Sequence, residues 1–381
     1  MRIICLLFLI VLTACVTKNH HENKRRVFEV VASNDILSIP PGKYVNEESI
    51  AIRYFKDDKK EYLALLNQSA NEIIIYDLQL CQLSKRIKFE RRGPERVGLI
   101  SGFDMWSLDS IYLTSKTFYR SLFLVDSSSH VLRKLDFVNQ GGESLMARIA
   151  PLHSHINNEL IYRNSNLLVG TYIMGASNNA KLIDQPFRYI YDMKRDTCLG
   201  MVNYPKFSED SDAQLGYYSG IGISNALIYS GVNEPNVYVN NGSKWKSYNI
   251  RSQYQENEIT ANYIGVQDIN TVFRMMVETP KYLSFLTDKA QGVYYRFFYP
   301  GVSGVPDEDI QYFQRYHKWF TLMVINSKFE VVGETKLPDE YYNPNMAFVS
   351  EQGLYLSLSR KHPKYNDNFM CFERMLIKKV K

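Results

Sequence analysis

The chain has 381 residues, with 45 Lys and Arg against 40 Asp and Glu and a formal charge of +5. So small an excess on so long a chain, without a long block of one sign in its body, argues against nucleic acid as a partner. Beyond residue 15 only Cys81, Cys198 and Cys371 remain; this odd, scattered trio with no CxxC pair excludes a disulfide framework and a structural zinc site, and predicts buried small hydrophobes.

The chain opens with twelve apolar residues, Ile3 to Ala14, behind Arg2. A bilayer core takes about 20 apolar residues at helical rise, so this segment is too short to span it. A basic start, a brief apolar run and small residues before a boundary describe a secretory signal. Leu12-Thr13-Ala14-Cys15 has the pattern of a bacterial lipobox, in which cleavage leaves Cys15 first and its thiol takes diacylglycerol. Acyl chains hold a protein at a membrane through about 0.8 kcal/mol per buried methylene. Residues 1–14 are thus read as a lipoprotein signal peptide and residues 15–26 as a lipidated flexible tether. Residues 27–381 are read as a single β domain. The expected location is the cell envelope, at the outer membrane, on its periplasmic or outer face.

Past the tether, short β-branched and aromatic runs alternate with turn residues, in keeping with 28 Tyr and 20 Phe. Hairpins are predicted around Asp126–Ser129, Asn241-Gly242 (a pair suited to a type I′ turn), Asn326–Lys328 and Glu351–Gly353. The stretches Tyr62–Phe89 and Ser110–Phe137 repeat one another, with Asp77 matching Asp126 and Phe89 matching Phe137; a weaker copy places Asp192 in the Asp77 position. Further copies cover about 217–250, 281–336 and 345–378. Four strands per unit at this period predict an all-β fold, a β-propeller of six blades. Glu258–Glu278 fits poorly and would belong to a seventh blade if there is one. An isolated strand near Arg26–Ala32 and a partnerless C-terminal run, Asn368–Val380, are predicted to pair and so close the ring. Pro306, Asp307 and Glu308 ahead of Ile310 and Phe313 predict a short helix inserted within a blade.

Lys85–Ser115 (KRIKFERRGPERVGLISGFDMWSLDSIYLTS), Tyr294–Gly301 (YYRFFYPG) and Phe329–Ser357 carry a family resemblance. Together they make the sequence similar to the domain-of-unknown-function 4221 family, lipoproteins found mainly in Bacteroidales. The resemblance covers nearly the whole mature chain and implies a propeller-like secreted lipoprotein. It brings no catalytic or binding residues with it.

No HExxH, P-loop, EF-hand or Gly-x-Ser-x-Gly elbow is present, and Gly220-Ile221-Gly222 lacks the third glycine of a dinucleotide site. His153-Ser154-His155 would place two imidazoles on one face if the segment is a strand, a start for a metal site, but no third ligand is evident and the preferred reading is a surface or loop pair with no metal. Arg91 to Arg96 surround Gly93-Pro94 in a connection between blades. Such connections lie near the axial channel, and the Arg92 and Arg96 forks suit carboxylate or phosphate. The alternative is pairing with Glu90 and Glu95. Asp104 and Trp106, on the next strand, are candidates to line the channel. Tyr294 and Arg296, sharing a face of an aromatic strand, offer either a contact surface for a sugar or protein or packing between blades.

The leading expectation is a non-catalytic binding or scaffold lipoprotein. Its partners are the membrane, through its anchor, and an envelope protein or glycan, with no cofactor. The alternative is a hydrolase or lyase acting on a saccharide or lactone, with acids or a calcium ion at the channel mouth. Acidic residues converging on the axis would favour the alternative; an apolar or purely basic axis would disfavour it.

Overall fold

The computed structural model describes residues 27–40, 49, 51–137, 147–153, 157–173, 185–207, 218–223, 226–242, 244–259 and 268–380. The signal, Cys15 and the tether lie outside the described residues, as do Ser154 and His155. Strand β1 (Phe28–Ile39) comes first, followed by a sheet of β2 (Ile52–Asp57), β3 (Lys60–Asn67), β4 (Glu72–Asp77) and β5 (Gln82–Lys88) in that order. The second sheet runs β6 (Ile100–Ser107), β7 (Ser110–Ser115), β8 (Ser121–Val125), β9 (Val131–Asp136). In the third, β10 (Ala147–Ile149) and β11 (Ile161–Arg163) both pair with β12 (Asn166–Ile173), which continues to β13 (Pro186–Asp192) and β14 (Thr197–Asn203). The fourth is β15 (Tyr218–Ile223), β16 (Ala226–Gly231), β17 (Asn236–Asn240), β18 (Trp245–Asn249).

An eight-stranded sheet completes the fold. One half is β19 (Lys281–Asp288), β20 (Val293–Tyr299), β21 (Thr321–Asn326) and β22 (Val331–Lys336). The other is β23 (Tyr342–Ser350), β24 (Gly353–Leu358), β25 (Met370–Lys379) and β1. The expected union of chain ends is present: β1 pairs antiparallel with β25 from Phe28↔Lys379 to Ile39↔Met370. It also touches β22 in parallel at Phe28↔Gly333. A Cβ at position 333 would lie 2.4 Å from the Phe28 carbonyl oxygen, so only glycine admits this approach. The architecture is all-β and propeller-like.

The sequence repeat has a physical cause. Asp77, Asp126 and Asp192 each accept two backbone N–H groups of the following turn, at 2.8–3.1 Å, where the third strand of a sheet turns into the fourth. Asn326 does the same for Lys328 and Glu330, and Asn240 accepts from Gly242. These side chains stand in for a backbone turn partner. The Asn241-Gly242 reading is corrected accordingly: the connection runs over four positions, 241–244, with the left-handed step at Gly242 (φ 101), rather than closing in two residues. After the fourth strand an apolar side chain turns inward: Phe89, Phe137, Tyr204, Ile250 and Leu337 are all buried.

Middle strands such as β4 are buried along their whole length, whereas the outermost β5, β9, β14 and β18 alternate or face solvent and three of them carry Lys or Arg, which guards exposed edges. The cysteine expectation holds only for Cys371. Cys81 is exposed at a turn tip and Cys198 half-exposed on outermost β14, because those positions face water whatever residue fills them. Apolar clusters lie between each sheet and the next, and the last returns from β23–β25 to β2–β4. The first strands β2, β6, β15, β19 and β23 line up side by side around the axis.

Helix α1 (Ile269–Glu278), capped by Asp268 accepting from the Thr271 N–H, occupies the C-terminal part of the stretch that fits the β pattern poorly. The predicted helix α2 (Ile310–Tyr316) lies between β20 and β21, after a 3-10 turn at Asp307–Asp309. The two pack through Val277, Val305, Ile310 and Phe313. Among the described residues no helix is long and apolar enough to cross a membrane.

Candidate functional site

Between β10 and β11, residues 150–153 and 157–160 lie against the inner strands of the other sheets. Phe103 donates its N–H to the Leu152 carbonyl, and Asn158 bridges Gly220 of β15 in parallel. A Cβ on Gly102 would lie 2.6 Å from Leu152 backbone atoms, so the absent side chain is what lets the segment lie against β6. His153 donates through Nε2 to the Ser101 carbonyl (2.6 Å), which leaves that nitrogen bound to backbone. Among the described residues no group of three metal-ligating side chains converges.

Charged side chains fasten this excursion. Arg53 of β2 donates through Nη2 to the carbonyls of His153 and Asn158, both at 3.1 Å, and its Nε lies 3.5 Å from Asp104 Oδ1. Asp104 Oδ2 accepts the Leu160 N–H at 3.0 Å. Asn157 donates to Glu159 Oε1 and to the Phe285 carbonyl of β19, both at 3.1 Å. Arg188 of β13 donates to the carbonyls of Glu159, Leu168 and Gly220 at 2.6–3.2 Å. One segment of the third sheet therefore holds strands of the first, second, fourth and eight-stranded sheets. Burial lifts the Asp104 carboxyl above its ordinary range against the pull of Arg53. Burial and then the charge of Asp104 lift that of Glu159, opposed by Arg53, Asn157 and Arg188. The axis is neither apolar nor purely basic: two carboxylates meet two arginines there.

The second polar feature is a recess of about 660 Å³ lined by Ser69, Asn71, Lys88, Phe89, Arg91, Arg92 and their neighbours. It opens beside the outermost strands, between the end of β5 and the β8–β9 turn at Ser129, rather than at the axis where the connection was expected to lie. Asn71, left-handed at φ 57, shapes it by donating to the carbonyls of Phe89 and Gly98 and accepting from the Ile100 N–H. Arg91 donates through Nη2 to the Ser69 carbonyl at 2.8 Å. Glu95 accepts the Val131 N–H, so the connection is not held by Arg–Glu pairs. Arg96 lies outside the recess, its guanidinium 6.0 Å from the Phe118 ring centre.

The six candidate residues are thus dispersed. Asp104 is at the axis and Arg92 in the recess. Trp106 is half-buried against Tyr112 and Tyr162, with ring centres 4.8 and 5.5 Å away. Tyr294 and Arg296 form no contact surface: Tyr294 stacks on Phe329 at 5.2 Å, and Arg296 is wholly enclosed. Its guanidinium lies 3.7 Å from the Tyr282 ring centre and donates to the carbonyls of Pro235, Ile250, Gly231 and Glu234 at 2.6–3.2 Å, joining β20 to the fourth sheet. Sequence reading missed Arg53, Glu159 and Arg188. A usable signal was present in Ile52-Arg53-Tyr54-Phe55, Phe187-Arg188-Tyr189-Ile190 and Tyr295-Arg296-Phe297-Phe298, where one arginine interrupts an aromatic or apolar strand. An arginine so placed must be buried, and buried donors are satisfied by carbonyls.

Among solved structures, a member of the DUF4221 family from Bacteroides vulgatus ATCC 8482 is similar at 22% identity and a TM-score of 0.79, covering 94% of this chain and 100% of that one. A protein of Bacteroides fragilis NCTC 9343, named as exported, is similar at 9% identity and a TM-score of 0.52, covering 93% and 96%. These likenesses bear on the fold. None of the curated proteins matches the chain. The family model described as Domain of unknown function (DUF4221) matches residues 28–336, most of the chain and all but the last strands of the propeller-like fold, and the protein belongs to that family.

Proposed function

We propose that the chain is a lipid-anchored binding propeller of the cell envelope, a single domain over residues 27–381 that holds a protein or glycan without transforming it. We count six blades, taking each half of the eight-stranded sheet as one; the ring of apolar clusters supports that count. Cleavage of signal residues 1–14 leaves a lipidated Cys15 and the tether to residue 26 to attach it at the outer membrane, on the periplasmic or outer face. The exported B. fragilis relative in fold supports an extracytoplasmic setting.

The observation that carries the binding reading is the filled axis. The arginines and Asp104, where propellers often keep ligands, are spent on the chain's own backbone, while open polar surface lies in the recess. A second reading rests on Glu159, a carboxyl lifted above its ordinary range beside Asp104. In a hydrolase or lyase acting on a saccharide or lactone it would be the proton donor. The calcium ion of that reading would need ligands beyond these two.

Thermal unfolding of the full-length protein in detergent, with EDTA, divalent metals, saccharides and peptidoglycan fragments, tests both. A bound ligand at a hundredfold excess over its dissociation constant adds about 2.7 kcal/mol. The binding reading expects such a rise, no product and no effect of EDTA. Product formation abolished by Glu159→Gln with unchanged unfolding, or an EDTA loss restored by calcium, overturns it.

A further inference from the structure

We infer that the recess between the first two sheets binds a small polyhydroxylated anion, a sugar acid or sugar phosphate, through Lys88, Arg91 and Arg92. This rests on the binding reading and names its ligand class. Volume and lining carry it. About 660 Å³ is far more than an inorganic ion fills and lies within the range of small-molecule sites, ample for a sugar ring. Three cations line the space against one carboxylate, Glu90. The Lys88 and Arg92 side chains are exposed and make no hydrogen bond or ion pair with the described residues, whereas Arg86, two residues before Lys88 on β5, is tied to Glu72 at 2.9 Å. Arg91 is held at one edge by the Ser69 carbonyl, which fixes its guanidinium in place before any ligand arrives. Such a planar fork matches a carboxylate or phosphate.

The remaining lining selects among anions. Ser69 donates its hydroxyl to Asn67 Oδ1 at 2.8 Å and so keeps acceptor capacity for a ligand hydroxyl. Ser129, left-handed at φ 68, adds a second hydroxyl from the other sheet. Phe89 forms part of the wall but is only 3% exposed, so its ring is not offered for stacking on a sugar face. Affinity then comes from charge and hydroxyl contacts together. A neutral sugar lacks the first and inorganic phosphate lacks the second.

Isothermal titration of the full-length protein in neutral detergent, with glucuronate, glucose 6-phosphate, glucose and inorganic phosphate, tests this. The two sugar anions are expected to bind, more tightly than phosphate, and glucose not to bind. Arg92→Gln or Lys88→Gln should each weaken them at least about tenfold, the effect of losing one charge-assisted hydrogen bond, while Arg96→Gln changes binding less than about twofold. Both substituted side chains are exposed, so folding is not at stake. Absence of binding, equal binding of glucose or phosphate, or indifference to both substitutions overturns the inference. So does binding confined to phosphatidylglycerol vesicles, which would assign the cations to a lipid headgroup. If the native protein binds neither sugar anion but an envelope partner is still recovered with it from native membranes, the binding reading survives while this inference fails.

Discussion

Replacing Arg296 with methionine tests whether enclosed arginines, rather than apolar packing alone, hold neighbouring sheets together. Methionine fills much of the same volume but leaves four carbonyls of residues 231–250 without their donor. An unmade buried hydrogen bond costs about 1–3 kcal/mol, so the gross loss is on the order of 4–12 kcal/mol. Against it stands the desolvation of a buried guanidinium, several kcal/mol in the native protein and the reason burial pulls the Arg296 pKa down to about 10. The balance predicts a net loss of about 3–5 kcal/mol, the range for breaking a buried charged network. Urea unfolding followed by tryptophan fluorescence reads this, because Trp245 lies on β18 of the sheet that Arg296 holds. Arg296→Lys keeps the charge but has one nitrogen to serve carbonyls on two sides, and should recover less than half of the loss. A loss below about 1 kcal/mol for Arg296→Met would refute the reasoning and leave the apolar clusters as the whole of the attachment.

The axial carboxyl gives a signed prediction. Asp104 titrates above its ordinary value of 3.8 when folded, so its favourable contribution is complete below that value and is lost as pH rises through the folded value. The stability of the native protein relative to Asp104→Asn should therefore fall as pH rises above about 4 in urea titrations; a rise would mean that the Arg53 pair outweighs burial. Lys281 has the opposite chemistry. Its amine donates to the Met276 carbonyl and lies over the Tyr299 ring, and burial pulls its pKa from 10.5 to about 8. The native protein should gain stability relative to Lys281→Met as pH rises from 8 to 10.5, because the unfolded chain then binds the extra proton. Gly102→Ala should cost about 1–3 kcal/mol by pushing Leu152 away, with faster amide exchange at Phe103 as its local mark. Asn71→Ala should cost about 2–4 kcal/mol in thermal unfolding, since it strips three buried hydrogen bonds from the link between the first two sheets.

What could be read in advance was whatever each unit repeats for itself. An aspartate that caps its own turn two to four residues on needs no distant partner, so Asp77, Asp126 and Asp192 announced the third-to-fourth strand turn. The apolar residue after each fourth strand and the charges on outermost strands are equally local. The union of β1 with β25 followed from two strands that had no neighbour in sequence. Where a unit departs from the repeat, local reading stopped. Helix α1 falls within Glu258–Glu278, the stretch that fits the repeat poorly and whose only sequence assignment is to a seventh blade if there is one.

The candidate site was legible only as chemistry without address. Arg92 and Arg96 are four residues apart in the same connection, yet one lines the recess and the other lies on Phe118, because the turn at Gly93 (φ 101) sends them apart. Arg296 has the composition of a contact residue, and only packing against the fourth sheet turns its donors inward. Sequence alone determined the strand-rich repeat, the turn chemistry, the family and the union of the chain ends, since each rests on neighbours a few residues apart or on a strand with no other partner. Tertiary structure alone decided which charges are buried and which are open. That choice depends on where residues 150–153 and 157–160 lie and on which carbonyls reach Arg53 and Arg188 from elements distant in sequence.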